Sequence, residues 1–159
     1  MTGEGDDNVG EQIAANLASI IDGHDLATTA VIGRNRSTTY GQLADEVADA
    51  RARLATLGLT AGDRVALVCS TGLPFVVIYL AVLGSGAVAV PLNPESPARE
   101  LQRELGTVAP RFAVVDRSGV AAWRALDPSA RSSLAAVVTI GGGVLPGATA
   151  WNDVVAGAP

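Results

Sequence analysis

The stretch that decides the fold is GDRVALVCSTGLPFVVIYLAVLGSGAVAVPLNP, residues 62–94. Between Arg64 and Glu95 it contains no arginine, aspartate, glutamate or histidine. An uncharged run of this length must be buried, either in a protein core or in a lipid bilayer. The choice between these two environments decides which class of protein this is.

Within this stretch the residue types change from strand-like to helical and back. Val65 to Cys69 is a short, Val-rich apolar run that predicts a strand. Pro74 suits the first turn of a helix, which Gly84-Ser85-Gly86 ends. Ala87 to Val90 predicts a second buried strand, stopped by Pro91. Two buried strands joined by a helix predict a parallel, right-handed βαβ unit.

A transmembrane helix is the alternative interpretation of the same residues. Leu73 to Leu92 has about the length that spans a bilayer. The Gly-Ser-Gly break and Pro91 cut the run into shorter pieces, and no cluster of basic residues flanks it to set an orientation. The sequence therefore favours a protein core, without a transmembrane segment.

The composition further narrows the kinds of protein that this chain can be. A chain of 159 residues that is 48% hydrophobic can bury the core of one globular domain. The net charge of −5, without a basic stripe, argues against a nucleic-acid partner. All eleven basic residues are arginine, which excludes catalytic and phosphate-binding lysines from this chain. No secretory signal is apparent, so we expect a cytoplasmic protein.

The N-terminal half predicts a helix, a hairpin and a second helix. Residues 1–10 are expected to form a disordered tail, and 11–159 a single α/β subdomain. Ile13, Leu17, Ile20 and Ile21 have the spacing of an amphipathic helix that ends near Gly23.

The hairpin is predicted from two short β-prone runs, Ala30 to Ile32 and Thr38 to Tyr40. Its two arginines, Arg34 and Arg36, are interpreted as solvated turn residues. Thr39 then predicts a capping box with Gln42 at the start of the second helix. One stripe of that helix should be buried, and we expect a solvated face opposite it; the stripe is Leu43, Val47, Ala50, Leu54 and Leu57, and the solvated residues are Asp45, Glu46, Asp49 and Arg53. Gly58 predicts a left-handed C-cap.

The C-terminal half continues the alternation of strands and helices. Ser96 and Pro97 predict an N-cap and first turn, with Leu101 and Leu105 facing inward and Glu104 among the outward residues. The remaining predicted elements are a strand at Phe112 to Val115, a helix at Ser118 to Leu126, a strand at Ala135 to Ile140 and a helical turn at Trp151 to Val155. The predicted fold is a mainly parallel α/β sheet with flanking helices, preceded by a helix and a hairpin.

No residue reveals a reaction centre. The lone Cys69 is interpreted as a small buried hydrophobe, and the lone His24 as a loop residue or helix cap. The glycines at 84–86 and 141–143 lack the remaining spacing of a dinucleotide fingerprint and are interpreted as connectors. We therefore assign no catalytic, cofactor-binding or metal-binding residue.

Three segments in this order resemble a known family. They are Thr39 to Leu43 (TYGQL), Leu57 to Ala66 (LGLTAGDRVA) and Leu80 to Pro94 (LAVLGSGAVAVPLNP). Their combination resembles the N-terminal part of the AMP-forming acyl-CoA synthetases, in the adenylating superfamily that includes luciferases and the adenylation domains of peptide synthetases. The resemblance covers about Ala30 to Val115. One departure is Ser70-Thr71-Gly72, where the family often has asparagine.

The resemblance implies a reaction. Such enzymes join a carboxylic acid to ATP, releasing pyrophosphate, and pass the acyl group to CoA or another thiol. The family's phosphate-binding loop, Mg²⁺ site and catalytic lysine lie downstream of this chain's last residue. The resemblance thus implies the first subdomain of a ligase that is not active by itself, with a fatty acid as the expected substrate of the whole protein. Its partner would be the rest of its own polypeptide, and exposed apolar surface would allow self-association. A free-standing binding module without catalysis is the alternative.

Overall fold

The computed structural model describes residues 16–34 and 36–157. The predicted N-terminal tail and Ile13 lie outside the described residues. The strands are β1 (Thr29–Ile32), β2 (Ser37–Thr39), β3 (Arg64–Val68), β4 (Val88–Leu92), β5 (Phe112–Val115), β6 (Ala136–Thr139) and β7 (Thr149–Ala150). The α-helices are α1 (Tyr40–Thr56), α2 (Leu73–Gly84), α3 (Ala98–Val108) and α4 (Val120–Arg124), and short 3₁₀ helices span Leu17–Ile21, Pro128–Arg131 and Trp151–Asp153.

The centre of the molecule is a five-stranded parallel sheet in the order β4-β3-β5-β6-β7. β3 and β4 pair in parallel from Arg64 and Val88 to Val68 and Leu92, and α2 connects them. The predicted strand-helix-strand unit is therefore confirmed. Among the described helices, none combines the length and apolar character needed to cross a membrane.

Both faces of the sheet are covered by helices. On β3, Val65 and Leu67 pack in the cluster that α1 and α2 complete, whereas Ala66 and Val68 pack in the cluster of α3 and α4. All four are buried. Because successive side chains of a strand point to opposite faces, a strand buried on both sides is apolar at every position. This is why β3 and β5 read as continuous apolar runs rather than as alternating patterns.

Helix α1 begins and ends as the sequence predicted. Thr39 Oγ1 accepts a hydrogen bond from the Gln42 N–H at 3.3 Å, and Gln42 Oε1 accepts one from the Thr39 N–H at 3.0 Å. At the other end Gly58 has a φ of 84°, and the Leu59 N–H donates to the Leu54 carbonyl. The predicted capping box and glycine C-cap are both confirmed. The hairpin before α1 is also confirmed, with β1 and β2 antiparallel.

Strand β4 differs from its prediction. It runs through Pro91 to Leu92, and Val88 is 47% exposed, so the strand is neither stopped by the proline nor fully buried. The reason is its place at the edge of the sheet, where one side of the backbone has no neighbouring strand. A proline, which has no N–H, is tolerated at such a position because no partner there is left unsatisfied.

Helix α3 also begins later than predicted. Pro97 is its N-cap residue, and Ser96 makes no side-chain capping hydrogen bond. Ser96 is instead buried in the turn that follows Asn93. Leu101 and Leu105 are buried as predicted. Glu104, predicted to face outward, is half-buried, and its Oε2 has no described hydrogen-bond partner.

The remaining differences are in short elements. The described part of the predicted first helix is a 3₁₀ helix. The helix predicted from Ser118 to Leu126 is shorter, since α4 has five residues. The turn after Trp151 is a 3₁₀ helix that ends at Asp153. Strand β7 was not predicted, because two residues are too few to show an alternating pattern.

Candidate functional site

The candidate site lies at the carboxyl edge of the parallel sheet, where the chain changes direction. From β3 the chain passes through α2 to β4 on one side, whereas from β5 it continues to β6 on the other. The loops after β3 and β5 therefore diverge and leave a crevice between them. In open α/β sheets, ligands bind in crevices of this kind.

Asp116 joins the two diverging loops. Its Oδ2 accepts hydrogen bonds from the Ser70 N–H at 2.8 Å and the Ser70 hydroxyl at 2.5 Å. Its Oδ1 accepts from the N–H groups of Ser118 at 2.8 Å and Gly119 at 3.1 Å. Each carboxylate oxygen therefore accepts two hydrogen bonds. Asp116 therefore holds together the two loops at this edge of the sheet.

Replacing Asp116 with alanine is expected to lower the free energy of unfolding by about 2 kcal/mol, because hydrogen bonds to a charged acceptor are lost from two loops. Ser70→Ala removes one donor only and should lower it by about 0.5–1 kcal/mol. Urea unfolding followed by circular dichroism measures both. Equal stability of the Asp116→Ala variant and the native chain would contradict this role.

A cavity of about 350 Å³ lies beside this crevice, and we call it the α2 cavity. Its apolar wall comes from α2, and its opposite side from Trp151 and Ala150. The glycines at 141–143 close it next to the end of β6. At its rim, Arg36 Nη2 donates to Glu46 Oε1 at 2.7 Å. Arg36, predicted to be a solvated turn residue, thus pairs with a side chain from the predicted solvated face of α1.

The glycines at 84–86 and 141–143, predicted to be connectors, lie at the end of α2 and after β6. Gly86, in the turn before β4, has a φ of 72°, and its carbonyl accepts a hydrogen bond from the Gly62 N–H. Gly141 and Gly142 have φ values of 61° and 78°, which glycine adopts without strain. The next helical element after them is the 3₁₀ turn that follows β7, so the strand-loop-helix order of a dinucleotide site is missing. Their place on the α2 cavity was not predicted.

Arg53 is only partly solvated, contrary to its prediction. Its side chain is 22% exposed and pairs with Asp49 at 2.6 Å, at the predicted spacing. Its Nη1 also donates to the carbonyl of Val154 and, at 3.4 Å, to that of Trp151. The guanidinium lies 5.9 Å from the centre of the Trp151 ring. Arg53 thereby anchors the C-terminal segment that forms one wall of the α2 cavity.

The single histidine, His24, and the single cysteine, Cys69, have the structural roles that the sequence indicated. His24 is exposed, stacks on Tyr40 with ring centres 4.0 Å apart, and places Nε2 3.1 Å from the Ile20 carbonyl at the end of the first 3₁₀ helix. Cys69 is buried, and its Sγ donates to the Val114 carbonyl at 3.4 Å. Burial, helped by the charge of Asp116, raises the pKa of the Cys69 thiol to about 12.

Cys69 should therefore be unreactive in the folded chain. At pH 8 we expect a disulfide reagent such as DTNB to modify it at least about a thousandfold more slowly than in urea, where the thiol regains a pKa of about 8.5. The absorbance of the released thiolate measures the rate. Cys69 is the only cysteine, so no second thiol obscures the result. Fast stoichiometric modification of the native chain would contradict the buried position.

The described residues do not fit a magnesium ion. Within 16–34 and 36–157, no three histidine, cysteine, aspartate or glutamate side chains lie close enough together to hold a metal. Asp116, the carboxylate at the end of β5, already accepts four hydrogen bonds from N–H and O–H donors. Mg²⁺ needs oxygen ligands that are free to coordinate it.

Sequence reasoning missed the residues that shape this edge. Asp116 follows a strand directly and precedes Ser118 and Gly119, which is the pattern of an aspartate that accepts from backbone N–H groups two and three residues on. That signal was available. The partners of Arg53 lie 98 and 101 residues away, and no local pattern indicates them.

Comparisons of sequence identify related proteins. A family model described as AMP-binding enzyme matches residues 22–154. Naringenin synthase of Pestalotiopsis fici is 38% identical over 87 residues, which are 55% of this chain and 3% of that protein. Acyl-CoA synthetase FUM10 of Gibberella moniliformis is 33% identical over 76 residues, which are 48% of this chain and 14% of that protein.

Solved structures have the same arrangement of helices and strands. The anthranilate CoA ligase AuaEII, solved with anthranoyl-AMP, superposes with a TM-score of 0.79 at 22% identity, over 87% of this chain and 27% of that chain. At this identity the likeness shows the fold. Apo MatB from Rhodopseudomonas palustris gives a TM-score of 0.68 at 26% identity, over 79% of this chain and 25% of that chain. The chain thus spans about a quarter of each of these two solved chains and 14% or less of the two curated relatives.

Proposed function

Because this chain belongs to the AMP-binding enzyme family, we propose that it forms the N-terminal subdomain of an adenylate-forming acid–thiol ligase. Such a ligase joins a carboxylic acid to ATP, giving an acyl adenylate and pyrophosphate, and then transfers the acyl group to CoA or another thiol. The observation that carries the proposal is the family match over 22–154, which includes the hairpin, all four α-helices and the whole parallel sheet.

In this proposal the chain supplies framework and the reaction is carried out by other residues of the protein. Stabilising the transferred charge requires cationic groups and Mg²⁺ placed at the reacting phosphates and carboxyl. This chain has no lysine, and its strand-end carboxylate, Asp116, is engaged by four donors. We therefore place ATP, Mg²⁺ and CoA on the remainder of the polypeptide and assign no catalytic or metal-binding residue here.

The proposed substrate class is a carboxylic acid. The names of the related proteins include an acyl-CoA synthetase, an anthranilate CoA ligase and a benzoate CoA ligase, so acyl and aryl acids both occur among them. A fatty acid stays a prediction for this protein. A panel containing octanoate, palmitate, benzoate and anthranilate distinguishes these classes in the whole protein.

ATP–pyrophosphate exchange tests the proposal. The gene is first sequenced beyond codon 159, where we expect a reading frame that encodes a Ser/Thr/Gly-rich loop with lysine. The complete protein should then catalyse exchange that depends on one acid of the panel, whereas residues 1–159 alone should give none above background. Exchange by the 159-residue chain would overturn the assignment of the chemistry to other residues. A stop codon after Pro159, with a folded monomer in solution, would favour a free-standing binding module.

Docking of the remaining polypeptide is part of the same proposal. Several large apolar side chains are exposed, among them Ile32 at 83% and Val144 at 72%. The anthranilate CoA ligase is about four times longer than the part of it that this chain matches. We expect the isolated chain to self-associate and the complete protein to associate less, as light scattering measures. A monodisperse isolated chain at high concentration would contradict this expectation.

A further inference from the structure

A groove of about 300 Å³ lies where the first 3₁₀ helix, α1 and the end of α2 meet, and we call it the Arg51 groove. Its charged lining residues are Arg51 and Asp22. The apolar part of its lining consists of Ala18, Ile21, Ala44, Val47 and Ala48. Both Ala48 and Arg51 are exposed, so the groove is open to a further segment of polypeptide.

The Arg51 side chain packs along its stem and leaves its charge available. Its Cδ and Nε lie 3.3 Å and 3.4 Å from the point that a Cβ on Gly84, the last residue of α2, would occupy. Within the part of the chain that the structure describes, no carboxylate lies within 4.0 Å of its guanidinium, and this holds for Asp22 too. A carboxylate brought to this place would therefore gain a cationic partner without displacing another.

The described part of the chain begins on a wall of this groove. Asn16 lines the groove, and its Nδ2 donates a hydrogen bond to the Leu83 carbonyl at 2.7 Å. The Ala18 Cβ lies 3.4 Å from the same point on Gly84 that Arg51 approaches. Residues 1–15 are thus tethered beside Arg51. A tether of this kind gives an effective concentration of about millimolar, so that contacts too weak to hold a free peptide suffice.

The composition of residues 1–15 complements the groove. These residues contain no arginine or histidine, and they contain the four acidic side chains of Glu4, Asp6, Asp7 and Glu11. The remaining residues of the chain contain twelve acidic side chains and eleven arginines, which nearly balance. The excess negative charge of the protein is therefore concentrated in the segment that is tethered beside Arg51. The same segment supplies two aliphatic side chains, Val9 and Ile13.

From this arrangement we propose that the Arg51 groove binds residues 1–15 of the same chain. Ile13, three residues before Asn16, packs against the alanines of α1, and the carboxylates of the segment lie around the Arg51 guanidinium. Burial of the aliphatic side chain supplies the affinity, and the charges select the orientation. Asp22 repels acidic groups, so the acidic side chains lie on the Arg51 side of the groove. The inference is independent of the proposed ligase activity, because it concerns a contact within this chain.

Disulfide cross-linking in the 159-residue chain tests the position of the segment. Gln12→Cys, which keeps Ile13 and the four carboxylates, is combined with Ala48→Cys in the groove. The control pair combines it with Ala121→Cys, an exposed alanine of α4 on the other face of the sheet. The native Cys69 is buried and does not compete. In glutathione buffer the groove pair should close at least about tenfold faster than the control pair.

The products of this reaction distinguish the possible occupants of the groove. Closure of both pairs at equal rates would overturn the proposal and leave the groove to the remaining polypeptide. Disulfide-linked dimers as the main product on a non-reducing gel would assign the groove to a second copy of the chain, and would also overturn it. A fast, concentration-independent closure of the groove pair supports binding within one chain.

Charge variants of the cross-linking chain test the part played by Arg51. Arg51→Gln should slow closure of the groove pair about two- to fivefold, since an exposed ion pair contributes little. Arg99→Gln is the matched control on α3, where the arginine is also exposed, and should leave the rate unchanged. Replacing the four carboxylates by their amides should slow closure by the same factor as Arg51→Gln, and the combination should add nothing further. A native rate in the folded Arg51→Gln variant would overturn the proposal.

Discussion

Replacing Trp123 with alanine is expected to lower the free energy of unfolding by about 3–5 kcal/mol. Trp123 is 1% exposed and is the largest fully buried side chain of the described residues. It packs in the cluster with Leu101 and Leu105 of α3 and Val115 of β5. Removing the indole leaves a cavity that neighbouring helices cannot fill without breaking their contacts with the sheet. Urea unfolding followed by circular dichroism measures the loss.

A milder substitution keeps this prediction testable if the alanine variant fails to fold. Trp123→Phe retains most of the buried ring and should lower the free energy of unfolding by less than half as much. Because a small domain has a stability of only about 5–15 kcal/mol, the alanine variant should be close to unfolding at 37 °C. A loss below about 1 kcal/mol for Trp123→Ala would show that α4 does not contribute to the core.

Replacing Gly119 with alanine should lower the free energy of unfolding by about 2–3 kcal/mol, for a steric reason. A Cβ at this position would lie 2.7 Å from the Val68 carbonyl oxygen and 2.8 Å from Val68 Cγ1. That carbonyl also accepts a hydrogen bond from the Asp116 N–H at 3.1 Å, so it cannot move freely. The φ of Gly119 is −78°, a value open to any residue, so the cost comes from the clash and not from backbone strain.

Gly106→Ala is the matched control, with the opposite sign. Gly106 lies inside α3, is exposed, and has no atom within 4 Å of the point that a Cβ would occupy. Alanine there should raise the free energy of unfolding by about 0.5–1 kcal/mol, because it restricts the unfolded chain and favours the helix. Thermal unfolding of the two variants side by side measures both effects. If the Gly119→Ala variant were as stable as the Gly106→Ala variant, the close packing of Gly119 against Val68 of β3 would be contradicted.

Much of the fold was predictable because its signals are local. The capping box of Thr39 and Gln42 and the glycine C-cap at Gly58 depend on groups a few residues apart. The uncharged run after Arg64 identified a strand buried on both faces, which implied a parallel sheet covered by helices. The resemblance to adenylating enzymes, stated from three segments in this region, agrees with the family match over 22–154.

The errors occurred where the surroundings of a residue in the folded chain override its local preference. Pro91 reads as the end of a strand, yet it lies inside β4 because that strand is at the edge of the sheet. Ser96 reads as an N-cap, yet it is buried in the turn before α3. Arg53 reads as a solvated charge, yet it binds carbonyls of the C-terminal segment. For Arg53 the deciding neighbours are 98 and 101 residues away in the sequence.

The sequence by itself determined which segments are buried, where several helices begin and end, and which family the chain resembles. These properties follow from periodicity and from hydrogen bonds that span three to five residues. The order of the strands, the hydrogen bonds between Ser70 and Asp116, and the α2 cavity were decided by the tertiary structure. Ser70 and Asp116 are 46 residues apart, and they meet because β3 and β5 become neighbours only when the helices pack on both faces of the sheet.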